Sequence, residues 1–72
     1  MLALDLTGLN CPMPVLKTKK FLSNLASGTE VQITTSDPAS LYDLQEFCQK
    51  TGHILLSQQD NNGIITTKIK RK

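Results

Sequence analysis

Leu2-Ala3-Leu4-Asp5-Leu6-Thr7-Gly8-Leu9-Asn10-Cys11-Pro12-Met13-Pro14-Val15 is the stretch in which one structural period gives way to another. Leu2, Leu4 and Leu6 alternate with Ala3, Asp5 and Thr7, the period-two pattern of a half-buried strand. After the loop Gly8-Leu9-Asn10 the spacing turns helical, and Cys11 stands at the junction. Pro12 and Pro14 suit a helix start, where a missing N–H costs little and a fixed φ is already right. The residue before a proline avoids the helical region, so Cys11 is expected in an extended or cap-like conformation with its side chain presented. Helix-start amides and the macrodipole favour a thiolate there, and the thiolate is the reactive form.

Outward from this junction, Val15, Thr18, Leu22, Leu25 and Ala26 share one helical face from Pro12 to about Ser27. Gly28 is the expected C-terminal cap. Val31 and Ile33 alternate with Gln32 and Thr34 in a second strand. Ser36 or Asp37 can cap a second helix with Pro38 in its first position. Leu41, Leu44, Phe47, Cys48 and Thr51 form that helix's inner face, and Gly52 ends it. Two further runs, about 53–59 and 63–70, are joined by Asp60-Asn61-Asn62-Gly63, a strong hairpin signal. The order is β-α-β-α-β-β: an α+β, two-layer sandwich with a four-stranded mixed sheet and both helices on one face.

Bulk properties narrow the function. The 72 residues suit one domain with a modest core. A net charge of +2 does not by itself argue for nucleic acid, and the aromatic residues are Phe21, Phe47 and Tyr42, too few for a base-stacking platform. RNA binding is therefore disfavoured. No apolar run reaches the roughly 18 residues that span a bilayer, and no signal-peptide pattern is present, so the chain reads as cytoplasmic. In that compartment Cys11 and Cys48 are not expected to form a structural disulfide. Two cysteines and His53, without C-x-x-C spacing, do not make a metal site, and no cofactor is implied.

A resemblance sharpens this. Gly8-Leu9-Asn10-Cys11-Pro12-Met13-Pro14-Val15 resembles the Cys-Pro-x-Pro signature of the TusA/SirA family of small sulfur-carrier proteins. Ser36-Asp37-Pro38-Ala39, followed by Phe47-Cys48, is similar to a second stretch of the same family. The likeness runs from about Leu4 to about Lys70. It implies sheet order 1-2-4-3 and a sulfurtransferase-like relay on Cys11, with Pro12, Met13 and Pro14 in support. A cysteine desulfurase or another persulfide donor would load it, and an acceptor relay protein would unload it, as in tRNA thiolation. Met13 departs from the many relatives with an acidic residue between the prolines. It reads either as a bland surface side chain or as an apolar contact for a partner.

Several residues have plainer readings. Cys48 belongs to an apolar stripe and reads as buried. Asp37 reads as a helix cap, and His53 as a solvated residue at a strand end. Lys68, Lys70, Arg71 and Lys72 read as protection of a strand edge and terminus. Lys17 and Lys20, on the solvent face of the first helix, are candidates for docking an acidic partner. The chain is expected to act as a monomer. The alternative is an RNA- or protein-binding regulatory module in which Cys11 is incidental or a redox sensor. A thiol–disulfide redox protein fits less well, for want of C-x-x-C.

Overall fold

The alternating leucines do form a strand. The structure, a computed structural model, describes all residues from Met1 to Lys72. Its elements are β1 (Leu2–Leu6), α1 (Met13–Ser23), β2 (Glu30–Thr35), α2 (Ala39–Thr51), β3 (Ile54–Asn61) and β4 (Ile64–Lys70). The sheet order is β1-β2-β4-β3. β1 and β2 are parallel, with Leu4 beside Ile33 and Leu6 beside Thr35. β4 runs antiparallel to both β2 and β3.

Register puts the apolar residues on one side of this sheet. Val31 pairs with Ile69, and Thr35 with Ile65, and all four are buried. Leu22 from α1 and Leu44, Phe47 and Cys48 from α2 join Leu6, Val31, Ile33 and Ile69 in the core cluster. Both helices therefore cover the same face. Each large aliphatic side chain buried here stabilises the fold by about 1.5–3 kcal/mol. The opposite face carries Gln32, Thr34, Thr66, Lys68 and Lys70, all half-buried.

Turn chemistry closes the elements as their residues require. Gly52 ends α2 in the left-handed conformation at φ 87°, and its N–H donates to the Cys48 carbonyl at 2.9 Å. Asn62 and Gly63 turn the β3–β4 hairpin with φ values of 55° and 88°, both positive as a type I′ turn needs.

Two expectations are corrected. α1 stops at Ser23, not near Ser27, and its cap is Asn24 rather than Gly28. Ser23 Oγ and Asn24 Nδ2 both donate to the Lys20 carbonyl, at 2.7 and 3.1 Å, and so compete with the backbone for the helix's last acceptors. Gly28 instead donates its N–H to the Arg71 carbonyl at 2.8 Å, joining the second loop to the end of the sheet. The lysines of the last strand do not guard an edge either. β4 lies inside the sheet, and Lys68 and Lys70 stand opposite Gln32 and Glu30 on its uncovered face. The edges are β1, which is short, and β3, whose register is broken between Leu55 and Ser57. Short and irregular edges resist pairing with other chains.

Candidate functional site

Parallel strands release their chains on the same side of a sheet, so the loops after β1 and β2 meet. Side chains of the second loop hold the first. Ser36 Oγ accepts the Gly8 N–H at 2.8 Å, and Asp37 Oδ2 accepts the Cys11 N–H at 2.8 Å. Asp37 also caps α2, since Oδ1 accepts the Ala39 N–H at 3.1 Å. Its own carbonyl accepts the Ser40 N–H and the Ser40 hydroxyl, at 2.9 and 2.6 Å. The Ser40 hydroxyl is in turn bonded to the buried Thr35 hydroxyl at the end of β2. A chain of contacts thus fixes the Cys11 backbone to the sheet, while the side chain stays exposed.

Cys11 lies in an open groove of about 380 Å³ between the two helices. Pro12, Val15, Leu16 and Lys19 form one wall, and Asp43, Glu46, Phe47, Lys50 and Thr51 the other. Lys50 and Glu46 pair at 2.7 Å, both well exposed, which adds little to stability. Pro14 is buried beneath the first turn of α1, and Met13 is 38% exposed at its first position. No helix is long and apolar enough to cross a membrane.

The thiol's electrostatics differ from the expectation drawn from the helix start. Hydrogen bonding to the Asp43 carboxylate raises the Cys11 pKa above its ordinary value. Desolvation adds to this, followed by the negative charges of Asp43 and Asp37. A neighbouring anion disfavours a second one. Cys48 contrasts with it. It is buried within α2, and desolvation alone pushes its thiol up to about 11.

The remaining candidates separate in space. Lys17 and Lys20 line a different hollow with Leu4, Leu6, Phe21 and Asn24, on the opposite flank of α1 from Cys11. The lysines that share the Cys11 groove are Lys19 and Lys50. His53 is more than a solvated strand end. Its ring lies 5.6 Å from that of Phe47, and Nδ1 accepts the Lys72 N–H at 3.2 Å. Sequence reasoning assigned Asp37 its cap but not its bond to Cys11, and it passed over Asp43. The spacing of Asp43, Glu46, Phe47 and Lys50 along one helical stripe is the signal that would have grouped them.

These features define a class: a two-layer sandwich that presents one exposed cysteine, tethered through its backbone, at the start of its first helix. A family model described as sulfurtransferase TusA matches residues 2–71. The sulfur carrier protein TusA of Pseudomonas putida is 41% identical over 69 residues, covering 96% of this chain and 86% of the relative. That of Allochromatium vinosum is 37% identical over 68 residues, covering 94% and 90%. Among solved structures, a SirA-like protein from Desulfitobacterium hafniense superposes with a TM-score of 0.86 at 29% identity, covering 97% of this chain and 96% of that one. The chain belongs to the TusA sulfurtransferase family.

Proposed function

We propose that the protein is a cytoplasmic sulfur carrier whose working group is the Cys11 thiol. The observation that carries this reading is the contrast within the molecule: the chain holds one exposed thiol, and it stands where two loop tethers fix its backbone and leave its sulfur open to a partner. The groove beside it is shallow and mixed in character, which suits a protein-borne sulfur better than a small molecule held in a deep cleft.

The step balances without an outside oxidant. The Cys11 thiol loses its proton, and its sulfur attacks the outer sulfur of a persulfide on a donor such as a cysteine desulfurase. The donor S–S bond breaks, its electron pair leaves with the donor thiolate, and that thiolate takes up a proton. Cys11 then bears the persulfide until an acceptor thiolate repeats the exchange. Transfer toward tRNA thiolation is one destination consistent with the family. Pro12 and Pro14 shape the start of α1, and Met13, two residues from Cys11, offers an exposed apolar contact.

Docking is expected to use two separate basic pairs. Lys19 and Lys50 lie in the groove, and Lys17 and Lys20 lie on the other flank of α1. Charge reversal at either pair should slow sulfur transfer without unfolding the chain, because all four side chains are exposed. Intact mass measurement after incubation with a desulfurase and cysteine tests the proposal. A gain of about 32 Da for each sulfur on Cys11 is expected. No gain, together with cysteine-independent binding of tRNA at physiological salt, would replace it with a binding module.

A further inference from the structure

We propose that Asp37 is a positioning residue for sulfur transfer: by accepting the Cys11 N–H it sets the direction in which the sulfur is offered to a docked partner. This rests on the reading of Cys11 as the sulfur-bearing residue and adds a second residue on which the geometry of the exchange depends.

The segment that carries the thiol makes few bonds to the rest of the fold. Leu9 N–H donates to the Leu6 carbonyl at 3.3 Å, and Met13 N–H to the Asn10 carbonyl at 2.9 Å, so both bonds stay local. Pro12 has no N–H to give. Two bonds reach across to the loop after β2. Gly8 gives its N–H to Ser36 Oγ, and Cys11 gives its own to Asp37 Oδ2, each at 2.8 Å. The second is the one that holds Cys11 itself.

Asp37 is in turn well anchored. Oδ1 accepts the Ala39 N–H at 3.1 Å, at the first residue of α2. Its carbonyl takes the Ser40 N–H and hydroxyl, and buried Ser40 is bonded to Thr35 at the end of β2. The two carboxylate oxygens therefore join the start of α2 to the Cys11 backbone. The sulfur hangs from that backbone by a single rotatable bond, so its direction follows the backbone closely. Exchange needs this sulfur in line with the donor S–S bond, and a misplacement of about 1 Å can cost about a hundredfold in rate. The negative charge of Asp37 acts the other way, since it opposes the thiolate. Position and charge thus have opposite signs at this residue, and they can be told apart.

Asp37→Ser separates the two oxygens. Serine caps a helix as aspartate does but has no second oxygen for the Cys11 N–H. In the full chain, amide hydrogen exchange followed by NMR should stay slow at Ser40 and become faster at Cys11. The rate of sulfur loading from a cysteine desulfurase supplied with cysteine should fall about ten- to a hundredfold at saturating desulfurase, with the half-saturating concentration little changed. Alkylation of Cys11 by iodoacetamide, which needs no docked geometry, should be no slower than in the wild type. Asp37→Asn, with one acceptor oxygen for two amides, should show the same pattern to a smaller degree, and it decides the matter if the serine variant does not fold. Loading as fast as in the wild type overturns the proposal, and so does Cys11 amide exchange that does not change. Alkylation that slows in step with loading overturns it too, as does a loss confined to the half-saturating concentration, which would make Asp37 a docking contact. If the wild type itself takes up no sulfur, the carrier reading fails and positioning for transfer falls with it, while hydrogen exchange still reports whether Asp37 holds Cys11.

Discussion

Cys11 and Cys48 are the same side chain in two surroundings, both with thiol pKa values above the ordinary one, for different reasons. Cys48 lies in the core with Leu44 and Phe47, and low polarity alone disfavours its anion. Cys11 stands in solvent, and its anion is opposed chiefly by Asp43. Loss of water around Cys48 is permanent while the fold lasts. Cys11 keeps its exposure in the folded chain. Burial makes the one thiol inert, and exposure leaves the other open to a partner.

The largest effect separates the two outright. Cys11→Ser should abolish sulfur loading and Cys48→Ser should leave it largely intact, as intact mass would show. The reverse pattern would break the comparison. Next comes access. In the native chain iodoacetamide should label Cys11 and spare Cys48, and in denaturant both should react alike, since burial protects only the folded state. A third effect is on stability. Cys48→Ser puts a hydroxyl where the thiol is buried and should cost about 1–3 kcal/mol in urea unfolding. Cys11→Ser, at an exposed position, should change stability by no more than about 0.5 kcal/mol.

The same contrast extends to pH. The folded Cys48 pKa is raised, from 9.0 to about 11, so the folded state keeps this proton longer than the unfolded one. Its contribution to stability is full below pH 9.0 and is lost as pH rises toward about 11. Wild type should lose stability across that window more steeply than Cys48→Ser, as urea midpoints would show. The smallest effect belongs to His53. Desolvation, then Lys72 and Arg71, lower its pKa from 6.5. The folded state resists its protonation, so stability is present above pH 6.5 and declines slightly as pH falls below it. His53→Gln should flatten that acid-side slope.

Legibility in the sequence followed the range of the interactions involved. Leu2, Leu4 and Leu6, the capping Gly52 and the Asn62-Gly63 turn each act through near neighbours, and each was readable. The exposed placement of Cys11 followed from its two prolines. The end of α1 was misjudged because Ser23 and Asn24 turn their side chains onto the Lys20 carbonyl, which apolar spacing does not register. Lys68 and Lys70 were assigned to an edge because the last strand in sequence is not the last in the sheet. The direction of the thiol shift was missed for a related reason. The helix start belongs to the same segment as Cys11, whereas Asp43 arrives from another helix, and no local pattern announces it.

The loop tethers have a consequence for the timing of assembly. Gly8 and Cys11 are held by acceptors 28 and 26 residues further along the chain. Closing loops of that length carries an entropic cost, so such contacts arise only after the strands that anchor them have come together. A growing chain therefore leaves Cys11 untethered until Ser36 and Asp37 are free to fold against the first loop. The backbone that presents the sulfur takes its shape late, once the second strand has paired with the first.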